Sequence, residues 1–556
     1  MKAYDGTSFM FGKGGWTMSA KSFLKGAFIL AFATILSKMM GSIYTIALQN
    51  LIGDRGMGLY QMAYPVYAML LIITTAGFPI AIAKFVSEYH AIGDEDGARR
   101  IYRVSLMMVA MIGFVVAISL FVSAPIVAKW SGDPEATLAL RAIAPALFTV
   151  PIVSAMRSYF QGWQWMTPTA ISQIVEQLIR VVTILVGAYL LLRLGYGIVG
   201  AASMAAFGAV VGSLGGFIVM VIVFIRKRIP ARTLRRTEAS LRLPKRLIVM
   251  RMIHYAVPVS LGALMIPLIS AVDAFTVTNM LKSLGLSQMM ATQQFGLLAG
   301  RAFKLLMLPG ALASSVAAAL LPFVSVAHAL GNQSELQRRV RSGLQVAVFM
   351  ALPASLGMMI LAKPIDIALF KNAQGMLSIQ ITSMTILLSV IEIVLMACLQ
   401  GIGAVYAPLV GLIGSFFVKI TGNLLLIRFF GIDGAAFATL LSYLFATGYG
   451  FMVLQRRTKL RLKIEEDIVK PLTVTLIMGA FLYAMYDQWT RFHFLLSPRW
   501  NALFITGICV FVGIGLYVFL LIVIGLIKEK ELAAVPKVGP YLIFFCHRIG
   551  LFVREV

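Results

Sequence analysis

The sequence has few charged residues for its length. Only 13% of its 556 residues are Asp, Glu, Lys or Arg, whereas 60% are hydrophobic and the mean hydropathy is +0.90. A soluble globular chain carries about 25% charged residues, so this composition excludes a soluble domain and indicates several membrane crossings. Among the charged residues the acidic ones are in the minority, with 22 Asp and Glu against 48 Lys and Arg, which gives a net charge of +26.

The motifs of enzymes and metal sites are also missing. The three cysteines, Cys398, Cys509 and Cys546, form no C-x-x-C pair, which argues against a disulfide or a zinc site. The five histidines form neither H-E-x-x-H nor a Ser/His/Asp set, and no G-x-x-x-x-G-K-[ST] loop occurs. Basic residues lie in alternate loops rather than on one compact face, so nucleic acid is not expected as a partner. We therefore predict a protein that is not an enzyme and has no cofactor.

Apolar stretches of about 20 residues, the length that spans a bilayer, number about fourteen. The first is too long for a signal-peptide core and no small-residue cleavage site follows it, so we expect it to be retained. The expected fold is an all-α integral membrane protein. The predicted spans are 23–48, 60–84, 101–123, 140–162, 169–192, 198–225, 252–280, 294–321, 343–362, 377–402, 406–428, 432–455, 469–488 and 501–527.

Alternate loops carry the positive charge. Lys and Arg are dense in 90–103, 338–341 and 456–470, and the connector 226–251 holds about ten of them against the single acid Glu238. Short basic loops stay in the cytoplasm. We therefore expect a multi-pass protein of the cell membrane with both termini in the cytoplasm, and we interpret the connector as a topological anchor. Contact with anionic lipid headgroups is the alternative that any such loop offers.

Three short motifs recur in the same order on both sides of this connector. They are HAIGD at 90–94 with HALGN at 328–332, FQG at 160–162 with LQG at 399–401, and GIVGAA at 197–202 with GIDGAA at 431–436. An even number of spans per copy gives both copies one orientation, so they are related by an axis along the membrane normal. The predicted organisation is an N-lobe at 1–225, the linker at 226–251, a C-lobe at 252–457, and a final helix pair with a cytoplasmic tail at 458–556.

Charged residues inside the spans are the candidate functional residues. Each costs about 2.5–3.5 kcal/mol at the bilayer centre, so each should face protein or water. A positive balance in a cleft between two lobes favours an anionic substrate. The candidates for substrate binding are Lys38, Arg180, Arg301, Lys304 and Lys419, and those for ion coupling or the cavity wall are Glu176, Asp273 and Glu392.

Simpler interpretations remain open for several of these residues. Glu176 and Arg180 are spaced as an i,i+4 pair that can merely join two helices. Arg301 can reach an interface by snorkelling, and Lys419 lies near enough to a helix end to be an anchor. The small residues Gly208, Gly212 and Gly216 predict a packing ridge without a functional role.

Two blocks of sequence resemble the multidrug/oligosaccharidyl-lipid/polysaccharide exporter superfamily, in its polysaccharide-biosynthesis, stage V sporulation protein B-like branch. The resemblance extends over nearly the whole chain, and lipid II flippases are related to this branch. The residues that carry it are Gly58-Leu-Tyr-Gln-Met-Ala-Tyr-Pro65, Ala76-Gly-Phe-Pro79, Ala81, Lys84, Ser87-Glu88, Tyr159-Phe-Gln-Gly162, Thr167-Pro-Thr169, Gln173, Glu176-Gln177 and Arg180.

The resemblance implies two lobes that alternate access and flip undecaprenyl-linked cell-wall precursors, with lipid II as the first expectation. The flippases bind the diphosphate with arginines in helices one, two and eight. Lys38 falls on the first helix-one position, Tyr44 on the second without a charge, and Lys304 on the helix-eight position, with Arg301 one turn earlier. Helix two offers no matching cation.

Other functions stay open on the same observations. They are a flippase for another lipid-linked glycan, a cation-coupled drug exporter, which should carry an acid where Lys38 stands, and a scaffold that transports nothing. The expected partners are a lipid-linked anionic glycan and membrane lipids, with the chain a monomer. No nucleotide site is present, so the membrane potential or an ion of unknown identity should drive the cycle.

Overall fold

The computed structural model describes residues 20–75, 77–226, 244–404, 406–491 and 497–526, and within them it contains helices and no strand. Twelve helices in these ranges are long and apolar enough to cross a membrane. The all-α membrane fold is therefore confirmed, whereas the count of fourteen spans stays a prediction. Most of the basic connector and the whole C-terminal tail lie outside the described residues.

The first half of the chain forms seven helices that pack as the N-lobe. Its closest pair is α6 with α7, and α1 packs along both. The helices are α1 Ala20–Thr75, α2 Phe78–Ala91, α3 Glu95–Trp130, α4 Ala136–Ile143, α5 Ala146–Gly162, α6 Thr167–Arg193 and α7 Gly197–Arg226.

The second half forms the C-lobe from α9 to α16, followed by a helix pair that packs against α12 and α13. Helix α8 precedes the C-lobe in the chain but packs against α2 and α3 of the N-lobe. A π-helical turn, Leu297–Ala302, joins α10 to α11, and a second, Glu465–Val469, precedes α17. The helices are α8 Lys245–Ala263, α9 Met265–Ser283, α10 Gln288–Gly296, α11 Phe303–Ala329, α12 Gln333–Ile360, α13 Ala362–Phe370, α14 Met376–Gly401, α15 Tyr406–Phe430, α16 Ile432–Thr458, α17 Lys470–Arg491 and α18 Pro498–Val523.

Helix α1 consists of two helices that meet at a kink. Gly53, whose φ of 70° lies in the left-handed region, interrupts the helix between predicted spans one and two, so a break is present there, but it is shorter than the predicted gap of 49–59. Leu48, Ile52 and Met57 around this kink are at most 2% exposed, so the residues beside it are packed inside the protein where a surface loop was expected.

The internal repeat is visible in how the helices end. In HAIGD, Gly93 has φ 78° and the Asp94 side chain caps α3 by accepting from the Gly97 amide at 2.8 Å. In HALGN, Gly331 has φ 65°, and Asn332 caps α12 through the Glu335 amide at 3.0 Å. Glycine tolerates the left-handed conformation and Asp or Asn caps a helix, so each copy encodes the same turn.

Within the described residues, buried apolar side chains join the lobes at one end of the bundle. We call the end with the turns at 91–95 and 330–332 and the loop at 459–464 the basic end, because the Lys- and Arg-rich stretches 99–103, 338–341 and 456–470 lie in or next to them; the other is the opposite end. One core cluster runs from Ile52 and Leu140 of the N-lobe to Phe295 and Ile379 of the C-lobe, at the opposite end. Towards the basic end the described residues form separate clusters for the C-lobe and for the N-lobe with α8.

Candidate functional site

Arg301 connects the two lobes at the opposite end. Its Nε and Nη2 donate to the Asp54 carboxylate at 2.9 and 2.6 Å, a side-on fork that joins the π-helical turn to α1. Its Nη1 donates to Asp366 at 2.9 Å and to the Asn372 side chain at 2.7 Å. The side chains of Arg301, Asp54 and Asp366 are 2%, 9% and 0% exposed. The snorkelling interpretation of Arg301 is therefore wrong, and we call these four residues the Arg301 layer.

Only Asp54 of this layer belongs to the N-lobe. Asp366 lies on α13 and also accepts the Gly375 amide at 2.7 Å, so it is held within the C-lobe. On the N-lobe side, Gln49 donates to Asp54 at 2.7 Å from the same helix. Of the two carboxylates that Arg301 contacts, one therefore belongs to its own lobe and the other to the N-lobe.

Small residues bring the backbones together around this layer. A Cβ on Gly296 would collide with the Asp54 carbonyl oxygen, and one on Gly300 would lie 2.5 Å from Met57 and 2.6 Å from Gln49. The π-helical turn that contains Gly300 and Arg301 inserts a residue into the helix, an arrangement frequent at functional sites.

A second contact closes the same end. Asp133, fully buried between α3 and α4, accepts Gln288 at 2.7 Å and Thr292 at 2.6 Å from the C-lobe. Lys282 donates to the Gly132 carbonyl oxygen at 2.9 Å. Together with the Arg301 layer, this Asp133 contact seals the opposite end with buried polar bonds.

Inside the N-lobe, Glu176 lies between two arginines. It accepts Arg157 of α5 at 2.7 Å and Arg180, one turn along α6, at 2.8 Å. Arg157 also donates to Ser172 at 2.8 Å. The predicted i,i+4 pair is present, but Arg157 makes the cluster net positive. The Nε of Arg180 has no hydrogen-bond partner in the described residues.

The predicted glycine ridge on α7 holds this cluster in place. A Cβ on Gly212 would lie 2.7 Å from the Arg180 Cβ and 2.9 Å from the Glu176 carbonyl oxygen. A Cβ on Gly216 would lie 2.9 Å from Nη2 of Arg157. The packing role predicted for these glycines is confirmed.

Lys304 faces the N-lobe from α11. Its ammonium lies 5.4 Å from the ring centroid of Tyr64, which stands between Tyr60 and Tyr67 on α1 at 5.7 and 6.0 Å. No carboxylate in the described residues forms an ion pair with it. Lys304 therefore lies opposite a row of three tyrosines of α1, at the contact between the lobes.

Lys38 is exposed on α1 and has no ion pair within the described residues. Its neighbours face α6: Thr34, one turn earlier, donates to Gln173 at 3.3 Å, and Gly41 lies beside Gln177. Lys38 is therefore close in sequence to residues that pack beside the Glu176 cluster, but the structure does not bring its ammonium into that cluster.

Lys419 and Asp273 are paired with each other and are not separate groups. Their Nζ and Oδ1 atoms are 2.7 Å apart, with side chains 0% and 3% exposed. Lys419 also donates to Thr439 at 2.6 Å, and Asn423 donates to Asp273 at 2.8 Å. The anchor interpretation of Lys419 is wrong, since its ammonium is fully enclosed between α9, α15 and α16.

Glu392 on α14 differs from the other candidate carboxylates. Asp273 and Glu176 have cationic partners, but none pairs with Glu392 in the described part of the chain. Within the described residues, the Tyr443 phenol of α16 lies close enough to Glu392 to interact with it electrostatically.

The structure changes the charge balance of the predicted set of site residues. That set holds five cations and three carboxylates. Including the ion-pair partners Arg157, Asp54 and Asp366 raises the numbers to six cations and five carboxylates. The Arg301 layer carries net charge −1, the Glu176 cluster +1, and the Lys419 pair zero. Lys38 and Lys304 are the unpaired cations among these groups. Arg157 could have been found as a cation inside the predicted span 140–162, whereas Asp54 and Asp366 lie between predicted spans, where charged residues were not considered for the site.

Comparisons with known proteins identify the family. A family model described as polysaccharide biosynthesis protein matches residues 23–328. The chain belongs to this family. Its members are membrane transporters, so the predictions of a multi-pass transporter that is not an enzyme are confirmed.

Relatives from Bacillus subtilis (strain 168) cover most of the chain. Lipid II flippase MurJ is 30% identical over 483 residues, 84% of this chain and 88% of that protein. Stage V sporulation protein B is 27% identical over 531 residues, 95% of this chain and 100% of that protein. These relatives place the chain among flippases for lipid-linked polysaccharides and confirm the resemblance seen in the sequence.

Two solved structures share the fold. The inward closed conformation of lipid II flippase MurJ has a TM-score of 0.65 at 14% identity, covering 89% of this chain and 98% of that one. A multidrug resistance MATE transporter of the MOP superfamily, in its inward-facing conformation, has a TM-score of 0.62 at 17% identity and covers 78% and 98%. At these identities the likeness concerns the fold.

Proposed function

We propose that this chain flips an undecaprenyl-diphosphate-linked peptidoglycan precursor, lipid II, from the inner to the outer leaflet by alternating access. The observation that carries the proposal is Lys304, a cation without an ion-pair partner in the described residues, at the contact between the lobes. An uncompensated cation inside a membrane protein is costly unless an anion or water faces it. A diphosphate supplies such an anion while its isoprenyl tail stays in lipid.

The proposed headgroup site combines Lys304 with Arg180, and Lys38, exposed on α1 outside the Glu176 cluster, is proposed as a further contact for the substrate. Among the described residues, the Nε of Arg180 has no hydrogen-bond partner in spite of the pair with Glu176. The tyrosines opposite Lys304 provide hydroxyls and ring faces suited to a sugar. Lys419 and Asp273 neutralise each other in a sealed contact, so we assign them a structural role.

The proposed orientation places the basic end in the cytoplasm, as short loops rich in Lys and Arg require. The Arg301 layer and the Asp133 contact would then close the outer side. The chain would stand ready to receive substrate from the cytoplasmic leaflet, as a monomer in the cell membrane.

We propose Glu392 as the coupling carboxylate. It is an intramembrane acid without a cationic partner in the described residues, so its charge is free to respond to an ion or a proton. Moving one charge across 100 mV is worth about 2.3 kcal/mol, enough to bias a cycle by more than tenfold.

A second candidate is a flippase for a different lipid-linked glycan, such as a capsule, spore or teichoic precursor. It is favoured by Tyr44, which stands where the resemblance leads one to expect a cation and whose hydroxyl lies 3.1 Å from that of Tyr60. Complementation of a strain that lacks its peptidoglycan flippases separates the two candidates.

Reconstitution with defined lipid-linked glycans tests the proposal. We expect flipping of lipid II in proteoliposomes, and a loss of about tenfold or more in Lys304→Ala, because a charge-assisted contact is worth about 1.5–3 kcal/mol. Lys304→Arg should retain activity, and Lys363→Ala, at an exposed lysine of α13, is the matched control. Equal flipping by Lys304→Ala and the wild type, at equal reconstitution, would falsify the assignment.

A further inference from the structure

We propose that Arg301 is a concealed second anion site, which Asp54 occupies while the opposite end is closed and which the substrate diphosphate takes over as the lobes separate. This inference rests on the proposed diphosphate-linked substrate and adds a step to its path. It also gives Asp54 a role, as an internal stand-in for a phosphate.

The geometry of the Arg301–Asp54 contact is that of phosphate recognition. Nε and Nη2 hold the two carboxylate oxygens at 2.9 and 2.6 Å, the fork with which arginine binds carboxylate and phosphate alike. The other face of the guanidinium is fixed, because Nη1 is held by Asp366 and Asn372 of the same lobe. Arg301 therefore keeps its orientation when Asp54 leaves, and presents two aligned donors.

The distribution of charge makes the site conditional on opening. In the closed layer one arginine serves two carboxylates, so its net charge of −1 repels an anion from this end. When Asp54 moves away with the N-lobe, Arg301 and Asp366 together are neutral and two N–H donors are free. The movement of Asp54 thus removes the net negative charge that repels an anion, and it frees the Nε and Nη2 donors of Arg301.

Arg301 also lies next to the proposed inner site. Lys304 follows it by three residues, a rise of about 4.5 Å along the helix. A diphosphate held by Lys304 can reach Arg301 without leaving the first cation. Exchange of one phosphate for Asp54 would then couple arrival of the substrate to opening of the layer.

Asp54→Asn tests this exchange, because it keeps the side-chain shape and removes the competing charge. Spin labels at Tyr196 of the N-lobe and Phe429 of the C-lobe, both exposed at the opposite end, report opening in a background without native cysteines. Farnesyl diphosphate is the probe, and uncharged farnesol is its control. Wild-type protein should show the longer label distance only with the diphosphate, whereas Asp54→Asn should show it without a ligand.

Affinity tests whether Arg301 holds the diphosphate in the open state. Asp133→Asn and Asp54→Asn each weaken the closed state, so in both variants the gain in farnesyl diphosphate affinity should match the increase in the open population. Arg301→Lys, added to either variant, keeps the charge but not the fork, so it should lower the affinity of the open population about tenfold, which corresponds to about 1.4 kcal/mol.

Two results would overturn the exchange. One is wild-type protein that binds farnesyl diphosphate without opening, and the other is an open-state affinity that Arg301→Lys leaves unchanged. Wild-type protein that binds no farnesyl diphosphate refutes the diphosphate substrate itself, which is the proposed function. Should Asp54→Asn fail to fold, Asp54→Glu is measured in its place. It keeps the charge but displaces the fork, so it should open without ligand. Closure of Asp54→Glu without ligand would overturn the exchange.

Discussion

Substitutions of the buried pair of Lys419 and Asp273 can distinguish a structural role from a role in transport. Lys419→Met would leave the Asp273 carboxylate, 3% exposed, with only the Asn423 amide among its described polar contacts. Removing one partner of a buried ion pair costs about 3–5 kcal/mol, because the remaining charge stays desolvated. We expect a loss of folding stability of that size and a low yield of folded protein.

The double variant Lys419→Met with Asp273→Asn should recover most of this loss. The amide introduced at position 273 keeps an acceptor for Asn423, and Thr439 retains its own bond to the Ala435 carbonyl oxygen at 2.9 Å. Replacing both charges of a buried pair is often nearly neutral, so we expect stability within about 1–2 kcal/mol of the wild type.

Thermal unfolding of the purified variants in one detergent, together with flipping in proteoliposomes, measures both effects. The double variant should fold and also flip substrate, since the pair is sealed from the lobe contact. A double variant that folds normally but does not transport would contradict the structural role and return Lys419 to the substrate site.

Two further predictions concern the helix packing and the coupling. Gly212→Val should lower thermal stability and flipping, because the valine side chain would push α6 and Arg180 away from α7. The control is Gly507→Val on α18, where a Cβ meets nothing within 4 Å, and it should change neither property. Equal thermal stability of the two variants would contradict this packing. Glu392→Gln should flip substrate at a rate that no longer depends on an imposed proton or ion gradient, and Glu335→Gln, at a surface ion pair, is its control. An unchanged gradient dependence would remove Glu392 from the coupling.

Much of the fold followed from the sequence because its signals are local. Runs of apolar residues determine the spans, and the turns of HAIGD and HALGN need only a glycine and a capping side chain within five residues. The break between the first two spans was predicted, but its shortness was not. The helix is interrupted at Gly53, and the residues on either side of it are helical and buried, which hydropathy alone does not show.

The candidate site was predicted less completely. Charges inside spans could be found one by one, and Lys304 and the Glu176–Arg180 pair were found in that way. Their compensation could not be derived, because Arg157 reaches Glu176 across 19 positions and Asp54 reaches Arg301 across 247. The predicted positive balance therefore shrinks once the carboxylates at the ends of the spans are included.

By itself the sequence determined the membrane fold, the duplication and the family, since hydropathy, helix caps and repeated motifs act over a few residues. The tertiary structure alone decided which charges are neutralised. Coulomb attraction inside a protein acts over a few ångströms, so the role of a lysine depends on what a distant part of the chain places beside it. Lys419 and Lys304 look alike along the chain, yet one is sealed against Asp273 and the other faces the contact between the lobes.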